Sequence, residues 1–485
     1  MTRARAALTI SIAALLLIGI APIGDANGSS AGLRHGPRVA SQLATPGSLW
    51  VKRYNGTGDG SDYAGAIGVS SDGSEVFVTG YSYGSTTADD HATVAYDAST
   101  GARLWVKRYN GPGNGYDDAN ALGVSPDGSK VFVTGESPGS SSNDDYATVA
   151  YDASSGAELW VKRYNGLGNS RDDATALGVS PDGSVVFVTG FSYGSANGYD
   201  YATVAYDALT GARLWAKGYD GPANGDDVAS AAVVSPDSSQ VFVTGYSVGS
   251  TGHADYATVS YDASTGAAMW AKRYDGTVSH FYADYATALD VSPDSSQVFV
   301  TGYSPGSTSG DDYATLAYKA STGAKLWVKR YNGPANGTDD AYDVGVSPGR
   351  SKVFVTGRSS GTATGFDYAT VAYNASTGAK IWVKRYNGPG DGFDEAYALG
   401  TSPDGSQVSV TGRSDGSTTR LDYATVTYDA ATGAKLWTRR YDGPGDFDEA
   451  HALGTSPDGS EVFVTGFSEG PSGGTTDYAT VAYGT

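Results

Sequence analysis

Short apolar runs separated by Gly, Pro, Asp and Ser recur along almost the whole chain, and residues 118–164 show one complete unit of the pattern. Within it Asp118–Ser125 (DANALGVS), Lys130–Ser137 (KVFVTGES), Tyr146–Asp152 (YATVAYD) and Glu158–Tyr164 (ELWVKRY) are rich in Val, Tyr, Phe, Trp and Thr. Such β-branched and aromatic residues suit a pleated surface, so each run predicts a strand. Between the first two lies Ser125-Pro126-Asp127-Gly128-Ser129, with Pro suited to the second turn position and Gly to positive φ. Ala153-Ser154-Ser155-Gly156, between the third and fourth, again ends on a glycine suited to a left-handed residue. Four antiparallel strands joined by hairpins make a propeller blade.

The unit repeats. Its segment 145–166 reappears with small edits at 200–221, 255–276, 312–333, 367–388 and 422–443. All eight tryptophans sit in it, and six of their seven spacings are 55 residues, the interval from Trp270 to Trp327 being 57. A fixed period of this length signals a solenoid, a propeller or an array. The two ends decide among these. The last unit supplies His451–Ser456, Glu461–Ser468 and Tyr478–Tyr483 without a fourth strand, and Ser48–Tyr54 is a fourth strand without the other three. Pairing them covers two sheet edges that would otherwise invite aggregation. The chain is therefore expected to be all-β, an eight-bladed propeller over residues 48–485 whose ring is closed by its N-terminal strand.

Strand order within a blade follows from side-chain size. DANALGVS carries Ala119, Ala121 and Gly123, as expected near a crowded axis, whereas ELWVKRY carries a Trp and long basic residues suited to the outer rim. From axis to rim the strands are named A to D. The D-to-A connections, such as Asn110–Asp117, and the B-to-C connections, such as Pro138–Asp145, then share one face, called the top.

The run YDASTGAKLWVKRY, a composite of Tyr96–Tyr109 and Tyr318–Tyr331, resembles the tryptophan-docking repeat of quinoprotein-type propellers. Asn110–Gly135 (NGPGNGYDDANALGVSPDGSKVFVTG) is similar to the bacterial SBBP propeller repeat of secreted and cell-surface proteins. Quinoprotein alcohol dehydrogenases would imply pyrroloquinoline quinone (PQQ), calcium, a catalytic Asp and an adjacent cysteine pair. This chain has no cysteine, and its top loops are short and nearly identical. The resemblance thus implies a non-catalytic member for which the quinone is not expected, and no catalytic residue carries over.

The formal charge of −20 argues against sequence-independent binding to nucleic acid or to anionic membranes. Residues 1–26 read as a signal peptide: Arg3 and Arg5, an apolar core over 6–20, and small residues at Gly24 and Ala26. That core is too short for a transmembrane span. Cleavage would remove two arginines and one aspartate, leaving −21, and residues 27–47 read as a flexible Gly/Ser/Pro lead-in. Secretion to the medium or cell surface follows, as a monomer without a membrane span in the mature chain.

Three side-chain series recur. Acidic residues open strand A (Asp117-Asp118, Asp172-Asp173, Asp339-Asp340, Asp448-Glu449), after loops that alternate oxygen-bearing residues with glycine. Such loops suit a hard cation such as Ca²⁺, with Asp442, Asp446, Asp448 and Glu449 as one candidate set. The competing reading is that these carboxylates accept backbone N–H groups and pin the blade-to-blade crossover. The Lys-Arg pairs of strand D point to opposite faces and are expected on a solvated rim, worth about 0–1 kcal/mol each. The tyrosines are expected in the core, hydroxyl outward, rather than as a sugar-stacking surface.

Symmetry breaks most in blades five and six. The longer interval holds Val278-Ser279-His280-Phe281-Tyr282, Asp290 stands where the second repeat has Gly123, and Asp343 where it has Ala121. A carboxylate replacing a small residue near the axis must be solvated, paired or liganded. His280, Phe281, Tyr282, Asp290 and Asp343 are therefore candidate ligand residues, against the alternative of drift. The expected function is a secreted, non-enzymatic scaffold for a protein or carbohydrate ligand. The alternative is an enzyme, a divergent quinoprotein or a hydrolase using the axial pocket.

Overall fold

The computed structural model describes residues 47–58, 60–84, 88–140, 143–194, 198–250, 252–276, 283–306, 310–362, 365–417 and 420–485. They form eight four-stranded sheets, each ordered A-B-C-D, and every strand pairing is antiparallel. In blade two these are Asp118–Val124, Lys130–Pro138, Asp144–Asp152 and Glu158–Tyr164. Strands A of successive blades lie close to one another, whereas the backbone of each strand D lies chiefly beside strand C of its own blade, so A lies at the axis and D at the rim. The eighth sheet is completed by Ser48–Tyr54, which pairs with Thr476–Gly484. The ring is thus closed by its two ends, as the strand tally required.

Blades are stapled by side chains that reach their neighbours. Trp50 donates its indole N–H to the Ala98 carbonyl of blade one at 2.6 Å, and Trp105 repeats this on Ala153 at 2.6 Å. Seven tryptophans make this bond. The acceptor belongs to the C-to-D turn, whose Gly101 has φ +65°. A Cβ there would come within 2.6 Å of the Trp50 ring, so glycine serves both the turn and the dock. In blade eight the chain ends replace that turn. Among the described residues Trp437 accordingly finds no partner for its N–H, and it is only half-buried.

The tyrosine at the Tyr146 position of strand C is a core residue, with its hydroxyl turned inward. Tyr146 donates to the Ala202 carbonyl of the next blade at 3.0 Å, and Tyr478 closes the circle on Ala92 at 3.1 Å. The strand D arginines also depart from the solvated-rim expectation. Arg163 pairs with Asp145 at 3.0 Å, donates to the Ser137 carbonyl at 2.5 Å, and reaches Tyr109 of the preceding blade at 3.1 Å. Strand D pairs edge to edge with strand C, which sets the guanidinium beside Asp145 and makes it a structural bolt.

Residues 1–46 and 277–282 are outside the described residues, and with them the signal peptide, nearly all of the lead-in, and His280, Phe281 and Tyr282. No helix among the described residues is long and apolar enough to cross a membrane.

Candidate functional site at the axial mouth

Each A–B pair carries one bulge. In blade two Ala119 faces Gly135 and Ala121 faces Thr134, leaving Asn120 as the extra residue. A Cβ on Gly135 would lie 1.8 Å from the Asp118 carbonyl oxygen, so the bulge requires glycine opposite it. The bulged residue is thereby re-aimed across the top of the channel. Around the ring it reads Gly65, Asn120, Thr175, Ser230, Thr287, Tyr342, Tyr397 and His451. In blades two, three and five it bonds the next strand A: Asn120, Thr175 and Thr287 donate to the carbonyls of Ala174, Ala229 and Ala341.

From blade six onward it is a ring. Tyr342 and Tyr397 lie 5.5 Å apart, Tyr397 stacks on His451 at 5.4 Å, and His451 meets Tyr63 of blade one at 4.6 Å. A ladder of charge runs beside this arc. Arg358 bridges Asp340 at 2.7 Å and Glu395 at 2.8 Å, and Arg413 bridges Glu395 at 2.8 Å and Glu449 at 2.9 Å. Tyr397 donates to Glu395 at 2.6 Å. A shorter ladder in blades two and three joins Arg171 to Glu136 at 2.8 Å and Asp173 at 3.3 Å.

Burial and pairing compete in these groups. Burial would raise Glu395, yet Arg413 and Arg358 hold its carboxyl below the ordinary value. At Asp340 burial prevails over Arg358 and pushes the carboxyl up to about 6. His451 is held down to about 3 by burial and by Arg413, so its imidazole is neutral. Its Nε2 lies 2.8 Å from the Tyr63 hydroxyl.

Both readings of the strand A acids are visible. The first acid pins the crossover: Asp117 accepts the Gly111 N–H at 3.0 Å, and the equivalent bond recurs in all eight blades at 2.6 to 3.0 Å. The second acid, where present, faces the axial mouth. Asp442 and Asp448 come together with Asp422, while Glu449 belongs to the axial ladder and the exposed Asp446 donates its backbone N–H to Glu469. Two further groups of this kind are Asp200, Asp220 and Asp227, and Asp255, Asp275 and Asp284. All three occur where the residue after strand D is Asp instead of the Asn of Asn110 or Asn165, a signal present in the sequence. Ligand atoms within each group lie within 4.8 Å of one another, which is compatible with a divalent cation.

Asp290 and Asp343, two of the candidate ligand residues, lie on the axial strands of blades five and six. Asp290 accepts the N–H of Val346 in the next blade at 2.7 Å, and Asp343 accepts that of Leu399 at 2.7 Å. Each is a cross-blade pin at strand A. The bulged aromatic arc has its own signal in the sequence, the change from Thr287 to Tyr342 at one repeat position.

A comparison with curated proteins finds no match. Among solved structures the ring is similar to Chaetomium thermophilum Sqt1 bound to the N-terminus of the ribosomal protein L10, with 12% identity, 88% of this chain and 97% of that one covered, and a TM-score of 0.57. It is also similar to the quinohemoprotein alcohol dehydrogenases of Comamonas testosteroni (14% identity, 90% and 76% covered, TM-score 0.52) and Pseudomonas putida (13%, 90% and 76%, 0.51). At these identities the likeness concerns the fold alone. The family model described as outer membrane protein assembly factor BamB matches residues 39–299 and 200–371, its two placements overlapping because the repeat admits more than one register. These matches span more than half of the chain, which therefore belongs to this PQQ_2 family of β-propellers.

Proposed function

We propose that the ring is an exported, non-enzymatic binding scaffold that presents its axial mouth to a protein or carbohydrate ligand. The observation that carries this reading is the self-satisfied mouth. Arg358 and Arg413 each bridge two acids, Tyr397 bonds Glu395, and the rings stack on one another. Such a surface offers fixed shape, charge and ring faces, the ingredients of recognition, with its acids and bases committed to each other. The residues do not fit PQQ: the arc from Tyr342 to Tyr63 lies across the mouth, and Glu395 and Glu449 are held by arginines.

The test is a glycan array and pull-down with the mature protein, beside Tyr397→Thr and Arg413→Ala. Binding is expected to fall at least tenfold in both variants. Dye-linked turnover after reconstitution with the quinone and Ca²⁺ would overturn the scaffold reading. A stabilising cation belongs to the same proposal, at Asp422, Asp442 and Asp448. A ligand that binds only the folded state raises its melting temperature by mass action. Superimposable melting curves in Ca²⁺ and in chelator would remove calcium from the reading.

A further inference from the structure

In seven blades the second-last residue of strand D is an arginine that bolts its blade together; in blade three the equivalent position is Gly218. Elsewhere the guanidinium pairs with the Asp at the start of strand C at 2.7 to 3.1 Å. In blade two Arg163 also donates to the Ser137 hydroxyl and carbonyl, both at 2.5 Å, and to the Tyr109 hydroxyl at 3.1 Å. The blade-three counterparts of these acceptors are Asp200, Ser192 and Tyr164. All three survive, and together with Gly218 they line a cavity of about 620 Å³.

We propose that this cavity is a binding socket for the guanidinium group of an arginine-like ligand, held by Asp200, Ser192 and Tyr164. Behind Ser192 stands Asp172, only 1% exposed, whose carboxylate accepts the Gly166 N–H at 2.8 Å. On the other side Asp220 and Asp227 place two more carboxylates within 4.8 Å of Asp200. The corresponding groups around Asp255 and Asp422 include the arginines Arg273 and Arg440, each 2.7 Å from its aspartate. Among the described residues, Asp200 has no salt bridge. Burial, then Asp220 and Asp227, push its carboxyl up to about 6, as expected for a carboxylate crowded by its own kind.

The acceptors select the ligand. A carboxylate, a backbone carbonyl and two hydroxyls are spread around a flat group that donates in a fork, an arrangement the same fold fills seven times with guanidinium. Trp215, Leu214, Ala202 and Tyr193 form apolar walls along which a short alkyl chain can lie, and Arg213 and Lys217 stand at the outer wall. The volume falls in the ordinary range of small-ligand sites, about 300–1,000 Å³. The site lies at the outer rim between blades two and three, so it stands whatever the axial mouth binds.

The experiment uses the mature protein and calorimetric titration with agmatine, with a blocked arginine tetrapeptide, with cadaverine and with Ca²⁺. The expected result is one guanidinium bound per chain, at least tenfold tighter than cadaverine. Binding of agmatine alone identifies a free small molecule as the source, and binding of the peptide identifies a partner's arginine side chain. Gly218→Arg should abolish binding and raise the melting temperature. A Cβ at that position would meet nothing nearer than the Tyr201 carbonyl at 3.5 Å, so the fold accommodates the side chain. Asp200→Asn, which leaves the backbone untouched, should weaken agmatine at least tenfold. Arg163→Gly should create a second socket and raise the stoichiometry to two. Agmatine binding unchanged in Gly218→Arg, no saturable guanidinium binding by the wild type, or Ca²⁺ binding that Asp200→Asn removes and agmatine does not displace would each overturn the proposal.

Discussion

Replacing Trp50 by alanine should destabilise the ring far more than the same change at Trp437, although both occupy one repeat position. Trp50 is 7% exposed, packs against Tyr96 at 6.0 Å and Phe463 at 5.9 Å, and bonds the Ala98 carbonyl of blade one. Burying an aromatic of this size, about 200 Å², is worth up to about 5 kcal/mol, and measured Trp→Ala costs run about 3–5 kcal/mol. The lost hydrogen bond adds about 1 kcal/mol, within that total. Trp437 is half-buried, its N–H has no acceptor, and its ring meets Tyr483 at 6.1 Å and the Arg439 guanidinium at 5.6 Å. Its removal orphans no carbonyl and should cost about 2 kcal/mol less. Guanidinium unfolding followed by far-ultraviolet circular dichroism reads the difference as a shift in midpoint, with Trp50→Phe reporting the hydrogen bond separately. Equal midpoint shifts for Trp50→Ala and Trp437→Ala would refute the claim that cross-blade docking carries the stability.

Deleting residues 1–56 removes the strand that pairs with Thr476–Gly484 and should lower the melting temperature and promote aggregation; an unchanged melt would count against closure by that strand. Asp290→Gly removes a cross-blade pin from Val346 and restores the second repeat's residue, so it should change stability by no more than about 1 kcal/mol, because the ionised acid is itself costly to bury. A loss beyond about 3 kcal/mol would show the pin to be essential. Stability should be greatest at about pH 4. Burial raises the carboxyls of Asp62, Asp117 and Asp394 to about 6 and those of Asp118 and Asp448 to about 7, above their unfolded values near 4. Their contribution is full below the unfolded value and is lost as pH rises through 6 to 7. The turn acids Asp72, Asp127 and Asp458, held near 2 by serine hydroxyls, act oppositely and lose their contribution as pH falls from about 4 toward 2. A melting temperature that climbs steadily from pH 5 to 8 would contradict this balance.

The repeat period, the four strands per unit, the turn glycines and the closure by Ser48–Tyr54 could all be read from the chain, because each depends on local pattern or on counting. The crossover role of Asp117 was readable as one of two alternatives, since a carboxylate a few residues after a glycine has few other donors within reach. Folding decided the rest. Whether Arg163 lies in water or bolts Asp145 to Tyr109 depends on which groups of strand C and of the preceding blade come beside it, which no run of seven residues encodes. The aromatic arc depends on a bulge that turns Tyr342, Tyr397 and His451 across the axis, and a bulge is a property of two paired strands. In sequence Gly218 is one positive charge fewer than its seven counterparts. Only the surviving acceptors, brought from strands 18 to 54 residues away, give that loss a shape: three groups arranged around the space a guanidinium fills in every other blade. Contacts between residues one repeat apart are set by the pitch of the ring, and that pitch is a tertiary quantity.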